Sequence, residues 1–364
     1  EGNLTTKYYK IVLNKDYFST ASSISWTEVT SSGTNTIEVN LPNNQVKYFK
    51  YSYSASNGYS TTSARINDSL STSYTTDTVF SGIISTANGG AIYNTANSYN
   101  INIKSDFIEN SLNSYESKGG AVSTHENGAI GDIIGNFLGN HVNGYDGNGG
   151  SVYNDGAISD ITGDFMGNYA NSYYGNGGAI YNSGTINDIT GDFIGNYVYA
   201  SSGYANGGAI YAGQSNLILL GDFIGNRAET LGTLEASGGA LWIQNTYMPE
   251  INSNFIQNTA VAKNGTAKAG AFLFVDEENI QAGEAPADAL EKFNGVFYSN
   301  KAIGKNAHGG ALYTSSLQNR FSPITGATIG DVNAEFIANG VEATEQAVGG
   351  AVYNGGVIKQ INAN

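Results

Sequence analysis

The chain has 364 residues, 48 of them Gly and none Cys, and 16 basic against 31 acidic side chains give it a formal charge of −15. Nucleic acids and anionic membrane surfaces require clustered basic residues, so this balance argues against both. No apolar run is long enough for a membrane-spanning helix, and the lack of Cys removes disulfide frameworks, thiolate zinc sites and cysteine nucleophiles.

In chain order, residues 1–80 stand apart. Ile37, Val39 and Leu41 alternate with Glu38 and Asn40, which reads as a half-buried strand. Pro42-Asn43-Asn44 reads as a turn, and Phe49, Tyr51 and Tyr53 continue a second strand, so a hairpin is expected. Lys7-Tyr8-Tyr9-Lys10 and Lys47-Tyr48-Phe49-Lys50 look alike, a weak duplication. The segment is expected to be an N-terminal β cap or assembly module, because an open stack of strands needs its first edge covered.

From residue 81 to 364 an internal repeat dominates. Gly-Gly pairs begin at Gly89, Gly119, Gly149, Gly177, Gly207, Gly238, Gly309 and Gly349, with Ala269-Gly270 as a variant. The spacing is 28 to 31 residues, then 40 for the last two intervals. Between consecutive pairs lies one Phe-x-x-Asn: Phe107 and Asn110, Phe137 and Asn140, Phe165 and Asn168, Phe193 and Asn196, Phe223 and Asn226, Phe255 and Asn258, Phe297 and Asn300, Phe336 and Asn339. The unit Gly177 to Asn196 holds three short apolar stretches, Ala-Ile-Tyr, Ile-x-x-Ile and Phe-Ile, separated by turn-forming residues. Each is too short for a helix and rich in β-branched or aromatic residues. The pattern specifies an all-β solenoid, one coil of a parallel β-helix per repeat and about nine coils. The position after Ala is always apolar (Ile92, Val122, Val152, Ile180, Ile210, Leu241, Phe272, Leu312, Val352) and is placed inside. Two adjacent inward residues in Phe-Ile require a corner, and Asn stacked there would form a hydrogen-bonded ladder beside a Phe ladder.

Gly-Gly-Ala-(Ile/Leu/Val) paired with Phe-x-x-Asn, repeated this often, resembles the polymorphic outer membrane proteins of chlamydiae and, more broadly, the passenger regions of bacterial autotransporters. The resemblance implies a right-handed winding, export to the cell surface and a role in adhesion. This chain differs in lacking Cys. Its last coil stops before its Phe-x-x-Asn, so the natural chain is expected to continue.

Three groups of side chains are candidates for chemistry. The row Tyr93, Tyr153, Tyr181, Tyr211, Trp242, Tyr313 and Tyr353 occupies one repeat position. If outward it is a binding stripe for a glycan or protein of a host or neighbouring cell; if not, it is a packing ladder. The Gly-Asp step recurs at Asp132, Asp164, Asp192, Asp222 and Asp331, and in register four of these would stack; the default reading is that they accept turn N–H groups, and a shared Ca²⁺ is the less favoured alternative. A carbohydrate-active lyase or hydrolase needs a calcium-binding acidic set with a base, or two paired carboxylates. Arg occurs only at Arg65, Arg227 and Arg320 and His only at His125, His141 and His308, and nothing acidic sits at the expected position beside His308 in its coil. The longer coils between Gly270 and Gly349 include the one helix-like stretch, Ala285 to Leu290, as an excursion. The reading is a non-enzymatic, exported stalk acting in adhesion or surface structure, with no cofactor and no metal site. A polysaccharide-processing enzyme and a self-associating filament or surface-layer subunit are the alternatives.

Overall fold

The computed structural model describes residues 9–11, 26–28, 36–40, 46–50, 64–66, 74–81, 84–85, 89–94, 97–98, 102–213, 217–244, 247–276, 290–316 and 328–363. From Ala64 onward every pairing between strands is parallel, and each strand pairs with its counterpart one repeat away: a parallel β-helix. Register is strict. Val122 aligns with Ile92 and Val152, and the row continues through Ile180, Ile210, Leu241, Phe272 and Leu312 to Val352. All but Val352 are buried, and Val352 is half-buried.

The coil has three faces, and their membership differs from the sequence expectation. Ala-Ile-Tyr forms one sheet, but Ile-x-x-Ile and Phe-Ile belong together in a second. The third face is the segment after Asn, such as His141–Asn148 and Tyr169–Asn176, for which apolar spacing gave no strand. Its inward row is apolar throughout but mostly small, Leu112, Val142 and Val198 with Ala170, Ala228, Ala260 and Ala302, so its signal is weaker than that of the other two. Parallel pairing also reaches back before residue 81. Ala64–Ile66, Tyr74–Ser81 and Ile84–Ser85 pair with all three faces of the next coil. Phe80 aligns with Phe107 there although no Asn follows it. The expected hairpin is present as Thr36–Asn40 against Val46–Lys50, antiparallel, with Ile37 opposite Phe49; Tyr51, Tyr53 and the turn lie outside the described residues. Most of the helix-like excursion also lies outside them, and its last residue, Leu290, opens the strand Leu290–Tyr298.

Two ladders hold the interior. Phe107, Phe137, Phe165, Phe193, Phe223, Phe255, Phe297 and Phe336 stack face to face, with centroids 4.5 to 5.1 Å apart. At the adjoining corner the Asn side chains from Asn110 to Asn300 are fully buried. From Asn140 to Asn339 each Asn Oδ1 accepts from both the backbone N–H and the Nδ2 of the preceding coil's Asn, as Asn196 does from Asn168 at 3.0 and 2.9 Å. Each Nδ2 also donates backward to a Phe carbonyl, Asn196 to Phe165 at 2.9 Å. Every polar atom of the amide is thereby used, which a buried amide requires. The small residue after Gly-Gly faces this corner across the coil, for Ser151 Oγ donates to Asn168 Oδ1 at 2.6 Å; close packing therefore keeps that row to Ala or Ser.

The third residue of Phe-x-x-Asn turns the corner in the left-handed region, φ 60° at Gly167 but also 52° at Glu109 and 55° at Gln257. The second Gly of the Gly-Gly pair is required for another reason: a Cβ on Gly178 would lie 2.1 Å from the carbonyl oxygen of Gly208 in the next coil. The first Gly has a positive φ as well as a close contact, 2.0 Å from a Cβ on Gly177 to the Ile180 carbonyl oxygen, and Ala269 stands at this position at φ 53°.

Asn196→Ala should lower stability by more than about 3 kcal/mol in urea unfolding, since it strands the buried donors of Asn168 and a Phe carbonyl. Gln257→Gly should raise stability by about 1 kcal/mol, by relieving left-handed strain and removing a buried Oε1 that has no hydrogen-bond partner.

Candidate functional site: an exposed tyrosine corner

The aromatic row, which the sequence leaves open to an outward stripe or a packing ladder, is a packing ladder in much of its length. Tyr153 and Tyr313 are only 5% and 7% exposed, and Tyr93, Tyr181, Tyr211, Trp242 and Tyr353 are half-buried. Tyr153, Tyr181, Tyr211 and Trp242 stack at 5.1, 5.0 and 4.2 Å, and Tyr313 stacks on Tyr353 at 4.6 Å. Face-to-face stacking at coil spacing covers the ring faces that a ligand would need. Lys118 and Lys268 lie over the Tyr153 and Tyr313 rings at 5.4 and 5.7 Å. Leu273 interrupts the row between Trp242 and Tyr313. Ser123 interrupts it between Tyr93 and Tyr153, and there the His125 ring fills the gap, 4.9 and 5.6 Å from its neighbours.

The exposed aromatic residues are others: Tyr247 and Tyr298 singly, and a cluster on the turn within the third face. Tyr115, Tyr145 and Tyr173 stack with near-parallel planes at 4.9 and 4.8 Å. Tyr174 crosses the stack edge-on, 5.7 Å from Tyr145 and 4.7 Å from Tyr173, and Tyr204 lies beyond it at 6.1 Å. Tyr115, Tyr145 and Tyr204 are 69%, 37% and 44% exposed. Both faces of Tyr145 are covered, so it presents its edge and hydroxyl. Among the described residues, only Tyr145 stacks on Tyr115. The tight fit is set by Gly203, where a Cβ would lie 2.2 Å from the Tyr174 ring.

Carboxylates adjoin the cluster. Asp146 is in register with Glu116 on one side and Tyr174 on the other. Glu116 pairs with Lys118 at 3.3 Å. Partial loss of hydration and then the Glu116 charge hold the Asp146 carboxyl above its ordinary range, with Lys118 opposing. The Tyr145 phenol is likewise raised, by lost hydration and by the surrounding phenols. Sequence reasoning missed this cluster. The signal was present: Tyr115, Tyr145 and Tyr173 each fall eight residues after the Phe of Phe-x-x-Asn.

The stacked Gly-Asp carboxylates are engaged with backbone. Asp192 N–H donates to Asp164 Oδ1 at 2.8 Å, Asp222 N–H to Asp192 at 3.0 Å and Asn254 N–H to Asp222 at 2.9 Å. Asp106 and Asn136 occupy the same row. Asp132 and Asp331 do not. Asp132 precedes Ile133, which aligns with Ile103 and Ile161, and Asp331 aligns with Lys292 and Gln360, because the Gly-Asp dipeptide recurs at a second place in the coil. His308 lies 5.3 Å from the Tyr353 ring, and His141 stacks on Tyr169 at 4.5 Å, with Tyr197 beyond at 4.8 Å.

Residues 77–95 match the Chlamydia polymorphic membrane protein repeat, a window that joins Phe80 to the first Gly-Gly-Ala-Ile-Tyr. No curated protein matches the chain, and no solved structure does. The matched repeat and the parallel β-fold together support a repeat protein of the outer-membrane, autotransporter-like kind.

Burial holds His125, His141 and His308 below the ordinary 6.5, aided by Lys118 at His125 and Lys268 at His308; Asp155, the Gly139 carbonyl and Glu235, respectively, oppose it. The Nε2 atoms of His125 and His308 are buried without a partner. The unfolded chain therefore binds protons first. Stability should be full above about pH 6.5 and fall as pH drops below it, with buried Asp106 acting in the opposite sense at lower pH. Urea midpoints at about pH 7.5 and 5.5 check this, and His125→Phe should reduce the difference.

Proposed function

We propose that this chain is the exported passenger of a bacterial surface protein, a rigid β-helical stalk that acts in adhesion by displaying side chains to a glycan or protein of a host or neighbouring cell. One observation carries the reading: a fold whose interior is filled by stacked ladders leaves a compact group of tyrosines exposed at one corner. Aromatic residues are enriched at protein interfaces and dominate their energetics, and stacking lowers the entropy lost when such rings are held by a partner. The matched repeat supports placement at the cell surface. The role is mechanical display, with no reaction and no cofactor. The stacked carboxylates of Asp164, Asp192 and Asp222, which a calcium-dependent or hydrolytic site would draw on, serve as acceptors for backbone N–H groups.

Beads coated with the full chain should bind cultured epithelial cells. The variant Tyr115→Ser/Tyr145→Ser/Tyr204→Ser should lose at least several-fold of that binding while melting at an unchanged temperature. Binding that is equal for both proteins would move the adhesive surface elsewhere on the rod.

A further inference from the structure

The corner's neighbours say what kind of partner it suits. Residues 102–226, which carry all five tyrosines, hold twelve acidic side chains and only two basic ones, Lys104 and Lys118. An anionic ligand such as a sulfated or sialylated glycan would meet this field with like charge. At the corner itself the Lys118 ammonium is committed, to Glu116 at 3.3 Å and over the Tyr153 ring at 5.4 Å, so one lysine faces two carboxylates, Glu116 and Asp146. The Asp146 carboxyl, held above its ordinary range by lost hydration and by Glu116, gains from an added cation.

The ring geometry narrows the choice. Sugars stack on open aromatic faces, but in this cluster Tyr145 is covered on both sides and Tyr173 is bounded by Tyr145 and Tyr174. The exposed surface is a ridge of ring edges and hydroxyls running along the rod, with a further ring surface offered at the 69%-exposed Tyr115. Glu116 follows Tyr115 directly, and Asp146 follows Tyr145, so two rings of the ridge, Tyr115 and Tyr145, have a carboxylate beside them. A planar guanidinium is suited to both halves of that pair. It stacks on a tyrosine ring, and its fork of N–H donors matches a carboxylate.

We propose that the Tyr115–Tyr145–Tyr173–Tyr174–Tyr204 corner, with Glu116 and Asp146, is a docking surface for an arginine-bearing, positively charged polypeptide segment. This rests on the adhesive reading above and names the chemistry of its partner. Arginine side chains of the segment lie against the ridge, their aliphatic stems on ring edges and their guanidinium groups on the two carboxylates. Binding is steered by the acidic field of the surrounding coils and weakens with salt.

The test uses the full chain and a fluorescent peptide of alternating Arg and Gly, with a citrulline-for-arginine peptide of the same length and a neutral oligosaccharide as comparison probes. The expected result is saturable binding of the Arg peptide, weakened by added salt, with at least tenfold weaker binding of the citrulline peptide. Tyr115→Ser/Tyr145→Ser/Tyr204→Ser, which leaves every charge in place, should lower affinity for the Arg peptide at least tenfold at an unchanged melting temperature. Glu116→Gln/Asp146→Asn should do the same. Equal binding of the Arg peptide by the tyrosine variant would overturn the proposal, since the diffuse acidic field alone would then account for it. Tyrosine-dependent binding of the neutral oligosaccharide with none of the peptide would overturn it in favour of a glycan. Running the bead assay in parallel separates the two levels. Tyrosine-dependent adhesion without peptide binding removes the arginine chemistry alone, and tyrosine-independent adhesion removes the corner from both.

Discussion

In a parallel stack each coil lies one strand spacing from the next, so a side chain's neighbour along the axis is the same position one repeat away. That constraint governs the whole molecule. Residues that gain from meeting their own kind fill the interior: Phe on Phe at about 4.8 Å, and Asn on Asn through paired hydrogen bonds. Residues that repel their own kind need a third party. The stacked Asp carboxylates solve this by accepting backbone N–H groups from the adjoining coil, and Asn136 and Asn254 take the same position where no Asp is present. The close approach of one coil's backbone to the next makes the second Gly of each pair a steric requirement and the small residue after it a packing one.

The same constraint separates structure from function along the chain. A position fixed in every repeat is occupied by the ladder it builds, and little of its surface remains free. The row from Tyr93 to Tyr353 illustrates this, its rings spent on one another. Places that break the period are where surface chemistry becomes available. At Ser123 and Thr124 the aromatic row and a second Asn row beside it (Asn94, Asn154, Asn182) fail together, His125 wedges into the gap, and Thr124 Oγ1 and Asn154 Oδ1 are left without partners. At the tyrosine corner three coils supply Tyr in register and the next supplies Tyr204 from a displaced position beside Gly203. Such a cluster belongs to a few coils and not to the fold, as expected when a solenoid carries a binding surface on a uniform scaffold.

What the sequence determined by itself was whatever the coil imposes once per repeat. Gly-Gly, Phe and Asn were legible because backbone contact, ring stacking and amide pairing each admit few residue types, and the two adjacent inward residues of Phe-Ile marked a corner, which the left-handed φ of the residue after them turns. The tertiary structure alone decided which faces the strands share, because the third face buries Leu112, a few Val and many Ala, a weaker signal than the Ile and Phe of the other two. It also decided which tyrosines meet solvent. Exposure depends on how a ring leans against its counterparts one coil away and on what crosses its edge, and composition is the same for a buried ladder and an open one. The two Gly-Asp rows were likewise inseparable in sequence, since the same dipeptide serves two places in the coil and only register tells them apart.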